Sequence, residues 1–98
     1  MTTFKITDPD GFPSTIVQDF ERADKGQYLG NCSLEYDNST RVISGGFTSG
    51  AAGKALYDWL EETAQYYRTE YVDASGEYRA AKQLASTVYS LLKDGEVA

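Results

Sequence analysis

Histidine is absent from the 98 residues, and cysteine occurs once, as Cys32. Those two gaps remove the commonest general base, and with it the Ser-His-Asp triad, the Cys-His dyad and the usual tetrahedral zinc site. Catalysis would have to run on carboxylates, lysine or tyrosine, and the chain reads as a non-enzyme without a cofactor. A lone cysteine closes no disulfide within the chain, so Cys32 reads as a small core side chain of a reducing cytoplasm. Long apolar runs are also missing, and nothing approaches the length that crosses a bilayer. The opening Met1-Thr2-Thr3-Phe4-Lys5-Ile6-Thr7-Asp8 lacks a basic segment followed by an apolar one, so it does not read as a signal peptide. Basic residues are scarce: nine Lys and Arg face fifteen Asp and Glu, a net charge of −6. That balance argues against direct nucleic-acid binding and against docking on an anionic membrane. Its size is ordinary for a small domain.

What is present suits one globular domain over 1–98 with a modest core. Hydrophobic residues make up 41% and aromatics 13%, too many for a disordered chain. Residues 3–7 alternate and read as a strand. Asp8-Pro9-Asp10-Gly11-Phe12-Pro13 is a turn. Ser14 can cap a helix over 14–25 whose inner face is Ile16, Val17, Phe20 and Ala23, ending at Lys25-Gly26. A strand over 14–20 is the rival, because Thr15-Ile16-Val17 is β-branched. Cys32, Leu34 and Tyr36 alternate with polar neighbours within a strand over 27–36. After the turn Asp37-Asn38-Ser39-Thr40, a second strand over 41–47 completes an antiparallel hairpin, with Gly45-Gly46 marking a bulge or its end. Ser49 caps a long helix with the inner stripe Ala52, Leu56, Trp59, Leu60, Thr63, Tyr67 and Tyr71. A last helix over 76–93 carries Tyr78, Ala81, Leu84, Ala85, Val88, Leu91 and Leu92 inward and stops at Gly95. The expected class is α+β: a small antiparallel sheet with an N-terminal helix and a C-terminal antiparallel helical hairpin.

The acids are unevenly spread. Asp58, Glu61 and Glu62 lie at spacings of three and four in Tyr57-Asp58-Trp59-Leu60-Glu61-Glu62, on the side of the helix away from its apolar stripe. They predict an exposed patch of one sign, which costs roughly a few tenths of a kcal/mol per like-charge pair. The plainer reading is a solvated face, with Lys54 offsetting Asp58 one turn away. Glu70, Asp73 and Glu77 extend the patch into a ridge answered only by Arg68. Asp58 to Asp73 would span roughly 20 Å along a helix, several phosphate positions of duplex DNA. Asp19, Glu21, Asp24, Glu35 and Asp37 form a competing acidic site.

Tyrosine occurs eight times. Tyr57, Tyr66 and Tyr89 fall off the apolar stripes; most of the tyrosines read as packing at the edges of the core with wetted hydroxyls, and one or two, exposed beside acids, suit a protein interface. Gly45 to Lys54 resembles a phosphate loop only loosely: Ala55 follows Gly53-Lys54 where Ser or Thr belongs, and Thr48 stands at the first glycine position. Calcium-loop spacing is absent, and a hydrolytic carboxylate pair needs a cleft that so short a chain has little room to build.

The segment Tyr57 to Glu62 is similar to an acidic Asp-Trp-Leu helix in a DNA-mimicking member of the phage-borne anti-CRISPR proteins, type I-F inhibitors. The opening Met1-Thr2-Thr3-Phe4 and the short, acidic character of the whole chain also resemble that group. Its members do not share one fold, so the likeness implies none. It implies an inhibitor, phage or prophage encoded and cytoplasmic in the bacterial host, that binds the RNA-guided surveillance complex. Acids stand in for phosphates on the basic surface of its large tail subunit and block target DNA. Asp58, Glu61 and Glu62 carry over by match to the acidic helix. Tyr57 and Tyr66 add contact area. The alternative is a non-enzymatic interaction module, an antitoxin or phage assembly factor, that docks through its helices. Salt separates the two, because only mimicry weakens steeply as salt rises.

Overall fold

Alternating apolar residues in three short segments build the sheet. The computed structural model describes residues 2–23, 31–71 and 73–97. Strand β1 (Thr2–Thr7), helix α1 (Pro13–Arg22), strands β2 (Cys32–Asp37) and β3 (Val42–Phe47) and helices α2 (Gly50–Glu70) and α3 (Ser75–Val97) follow in order. The sheet order is β1-β3-β2, with β3 antiparallel to both neighbours. Strands β1 and β2 therefore run parallel, one strand apart, with α1 in the connection between them. This is the expected α+β class. The helix over 14–20 forms and the rival strand does not. Helix α1 ends at Arg22, short of the expected end at Lys25-Gly26: Ala23, expected on its inner face, is the extended C-cap, its N–H donating to the Asp19 and Phe20 carbonyls. Lys25-Gly26 and the beginning of the strand over 27–36 lie outside the described residues.

Register decides which side chains point inward. Phe4, Gly45 and Leu34 form one cross-strand row, and Ile6, Ile43 and Tyr36 the next. Both rows lie on one face, since residues two apart along a strand share a side. Phe4, Leu34, Ile43 and Phe47 are buried there, while Lys5 and Glu35 flank Ser44 on the open face. Gly45 makes neither a bulge nor a strand end. It pairs on both sides, and a Cβ there would sit 2.7 Å from the ring of Phe4 and 2.6 Å from the Ser33 carbonyl oxygen. The glycine leaves room for an aromatic ring to lie across the central strand.

The helices close the core over that face. Ile16, Val17 and Phe20 of α1 join Ala52, Leu56, Leu60 and Ala64 of α2 and Ala80, Ala81, Leu84, Ala85 and Val88 of α3 in one buried cluster. Tyr57–Tyr89, Glu61–Lys82 and Arg68–Tyr78 pair α2 with α3 in opposite sequence order, so the two helices form the antiparallel hairpin. Ser49 caps α2 as expected, its Oγ accepting from the Ala52 N–H at 3.1 Å. Cys32 is half-buried, and its thiol donates to the Ala52 carbonyl at 3.2 Å. Burial pushes that thiol's pKa up.

Two further helix ends differ from expectation. Phe12, not Ser14, occupies the N-cap of α1, without a side-chain hydrogen bond. Pro13 takes the first helical position, where its fixed φ fits and its missing N–H is no loss. At the other end, α3 continues through Gly95 to Val97. A glycine costs a helix only about 1 kcal/mol relative to alanine, too little to force a stop.

The loop before α1 is fastened to the start of α3. Phe12 N–H donates to the Gly76 carbonyl at 3.1 Å, and Asp10 N–H to Gln83 Oε1 at 2.8 Å. Gly11 has φ +72°, and a Cβ on it would fall 1.9 Å from the Gly76 oxygen. Gly11→Ala is therefore expected to destabilise by about 2 kcal/mol or more, a fall in Tm of roughly 10 °C. Gly50→Ala, where a Cβ meets nothing within 4 Å, is expected to be neutral or mildly stabilising. Thermal unfolding followed by circular dichroism reads both, and equal shifts for the two variants would refute the fastening role of Gly11.

Candidate protein-binding face

Helical geometry divides the carboxylate trio. Successive residues turn by about 100° around an α-helix, so adjacent Glu61 and Glu62 leave α2 in different directions. Glu61 turns toward α3 and accepts from Lys82 Nζ with both oxygens, at 3.0 and 2.8 Å. That bond is the first cause of the raised pKa of Lys82. Asp58 is exposed, 3.9 Å from Lys54 one turn earlier. Glu62 turns toward α1 and lines a groove there. The expected single-sign patch at Asp58, Glu61 and Glu62 thus does not form. Two of its members face lysines: Asp58 has Lys54 one turn earlier on α2 itself, and Glu61 meets Lys82 because the outer side of α2 is partly the flank along which α3 packs. An exposed i,i+4 pair such as Lys54–Asp58 is worth only about 0.3–0.5 kcal/mol, yet it removes a local excess of charge.

The groove between α1 and α2 encloses about 510 Å³. Asp19 and Glu62 line it from opposite helices, with Trp59, Tyr66, Tyr67 and Tyr71 as aromatic walls. Trp59 meets the buried ring of Phe20 nearly at a right angle, centroids 5.6 Å apart. Tyr66, Tyr67 and Tyr71 form a closed triangle with centroid separations of 5.4, 5.6 and 5.8 Å. Tyr66 and Tyr71 remain 50% and 51% exposed. Tyr71 is thus no part of the inner stripe. It is the C-cap of α2, where the chain has left the helix and its side chain no longer follows the helical period.

Hydrogen bonds fix this cluster. The Tyr67 hydroxyl donates to Asp19 Oδ2, and the Tyr66 hydroxyl to that of Tyr71 at 3.3 Å. Burial pushes the Tyr67 phenol well above its ordinary value, and its bond to Asp19 and that residue's charge add to the shift. Tyr66 is raised first by its bond to Tyr71, with Glu70 and Asp19 contributing through their charges. Glu77 acts on Tyr67 in the same way. Asp19 and Glu62 therefore line one groove with the tyrosines, and Glu70 and Glu77 act on Tyr66 and Tyr67 only through their charges, although the sequence assigns Asp19 to a different site from the other three.

The remaining acids have other surroundings. Glu77 is half-buried in the first turn of α3, where a negative charge favours the helix, and Asp73 is exposed in the connection before it. Glu21 is exposed on α1, and Asp24 lies outside the described residues. Glu35 projects from the open face of the sheet. Asp37 closes the β2–β3 turn, its Oδ1 accepting from the Ser39 N–H at 2.8 Å. The competing acidic site therefore does not form as a unit: Asp19 belongs to the groove, and Asp37 holds a turn. Tyr57 is half-buried, its ring 5.7 Å from that of Tyr89, with Glu61 and Lys82 close by. Trp59 and the Tyr66-Tyr67 pair were the available signals for the groove. The spacing of four residues from Trp59 to Thr63 to Tyr67 marks the edge of α2 that faces α1.

A second groove, of about 670 Å³, lies between the start of α2 and the end of α3, lined among others by Phe47, Tyr57, Tyr89, Leu91 and Leu92 with Lys54 at its edge. Among the described residues, no three His, Cys, Asp or Glu side chains gather as a metal site would require, and no helix is long and apolar enough to cross a membrane. Comparison with protein-family models, curated proteins and solved structures finds no match.

The Tyr67–Asp19 bond carries a pH signature. An unfolded phenol titrates near pH 10, and the folded value lies higher. The protonated phenol therefore stabilises the fold fully below about pH 10, and that contribution is lost as pH rises through the folded value. Tyr67→Phe is expected to cost about 1–2 kcal/mol at pH 8 and to flatten the loss of stability above pH 10. Urea midpoints measured from pH 8 to 11.5 test this, and parallel curves for the two proteins would rule it out.

Proposed function

We propose that this chain is a binding inhibitor of the anti-CRISPR kind, without catalysis, that docks an acid-and-tyrosine face on the basic, DNA-engaging surface of an RNA-guided surveillance complex. The observation that carries this reading is the groove in which Asp19 and Glu62 stand among Trp59, Tyr66, Tyr67 and Tyr71. Four acids elsewhere stand beside a cation: Asp8 by Arg41 at 3.2 Å, Asp10 by Arg79 at 3.5 Å, Asp58 by Lys54 and Glu61 by Lys82. In the groove, carboxylates that attract a basic partner stand beside exposed aromatic surface. The acids steer encounter and form charge-assisted bonds with lysine and arginine, as phosphates would, and the tyrosines contribute desolvated area. Host and phage origin, and the tail subunit as partner, enter this reading through the resemblance of the Tyr57–Glu62 segment.

The groove lined by Phe47, Tyr89, Leu91 and Leu92 favours a second reading, an antitoxin or phage assembly factor docking through the ends of α2 and α3. Such an interface would respond little to salt. Binding to a purified type I-F surveillance complex, measured at about 50 and 300 mM salt, is expected to weaken at least tenfold for the acidic face. Glu62→Lys with Glu70→Lys is expected to weaken it by about a hundredfold, and Asp58→Lys with Glu61→Lys by much less. Salt-independent binding unaffected by the Glu62/Glu70 pair, with circular dichroism unchanged, would overturn the proposal.

A further inference from the structure

The groove between α1 and α2 combines aromatic walls with carboxylates, a pairing that selects among cations. We infer that it receives the side chain of one arginine from the protein partner. This rests on the reading of the surrounding face as protein-binding, and it names the contact at its centre. Aromatic faces carry negative electrostatic potential and attract a cation placed over them. The planes of Tyr66, Tyr67 and Tyr71 are inclined at 77°, 67° and 38° to one another, so the cluster turns ring faces in several directions. Asp19 and Glu62 stand on opposite helices across the groove, and Tyr67 fixes the Asp19 carboxylate by donating to one oxygen.

Geometry and charge distinguish the occupants. An anion would meet two carboxylates, and a purely apolar segment would bury them without a countercharge. An ammonium ion satisfies the charge but is strongly hydrated and compact. A guanidinium is planar, weakly hydrated, stacks on aromatic faces and offers a fork of donors to carboxylates on either side. One such contact occurs within the chain between α2 and α3, with the Arg68 guanidinium 5.8 Å from the ring centre of Tyr78. Arg22 lies on the wall of the groove and opposes entry of a second cation. Its removal should strengthen binding, the reverse of what removal of a partner-contacting cation would do.

Trp59 is the only tryptophan and stands in the groove wall, so its fluorescence reports occupancy directly. The full chain is titrated with a blocked Gly-Arg-Gly peptide and with its lysine and citrulline counterparts. The arginine peptide is expected to give a saturable change in the millimolar range, on the order of fivefold tighter than the lysine peptide. The uncharged citrulline peptide, nearly identical in shape, should not saturate. Glu62→Gln should weaken the arginine response severalfold and Arg22→Ala should strengthen it, both with unchanged melting curves. Equal responses to arginine and citrulline, preference for lysine, or no saturation by about 100 mM peptide would overturn the inference. If titration is flat while surveillance-complex binding still depends on Glu62, Glu70 and salt, the groove inference alone falls. If arginine saturates the groove and the complex does not bind, the target assignment alone falls.

Discussion

The side-by-side packing of α2 and α3 is the constraint on which the surface chemistry depends. Five buried alanines, Ala52 and Ala64 on α2 and Ala80, Ala81 and Ala85 on α3, keep the side-chain layer of the two helices thin. Helices with small residues at their contacts approach closely, and long side chains at the margins then reach across. Lys82 reaches Glu61 in this way, and Arg68 reaches Tyr78. The rotation of α2 that buries Leu56 and Leu60 also points Glu61 toward α3 and Glu62 toward α1. One packing decision thus withdraws one carboxylate from the surface charge and commits its neighbour to a groove.

The partition matters more than the net charge. A domain of charge −6 need not be acidic everywhere, and here ion pairs flatten the field over several stretches. Asp8 and Arg41 join the loop after β1 to the β2–β3 turn. Asp10 and Arg79 help fasten the loop before α1 to α3. Being exposed, these pairs add little to stability, about 0–1 kcal/mol each. Their larger effect is on where unanswered negative charge remains. Part of that charge, on Asp19 and Glu62, lies beside Tyr66 and Tyr71, the most exposed rings of the aromatic cluster.

Fold class was legible in the sequence because local patterns and burial agree. Alternation in 3–7 and 32–36, the Ser49 cap and, apart from Tyr71, the apolar stripes of the last two helices recur in the structure. Small discrepancies trace to local causes: Pro13 displaces Ser14 from the capping role, and Gly45 serves ring packing and not a bulge. The candidate site was legible only by residue type. Helical spacing places Asp58, Glu61 and Glu62 on an outer face, but it does not reveal that Lys82, 21 residues beyond Glu61, will pack beside them. Nor does it bring Asp19 of α1 against Tyr67, 48 residues away. Such meetings depend on how helices are arranged, which a one-helix period does not encode.

Aromatic and acidic groups placed together give a different recognition chemistry from carboxylates alone. Isolated surface carboxylates attract basic partners over distance but lose most of that advantage in salt, since the Debye length is about 8 Å at physiological ionic strength. A ring beside the half-buried Asp19 displaces part of its water, so a cation that enters the groove meets a charge less screened than one in bulk solvent. The cost is that the carboxylates must remain hydrogen-bonded before any partner arrives. The Tyr67 hydroxyl meets this requirement for Asp19, and the exposure of Glu62 leaves its carboxylate in water. The groove is thus polarised without being strained, and its selectivity arises from the geometry of aromatic faces and not from the number of acids around it.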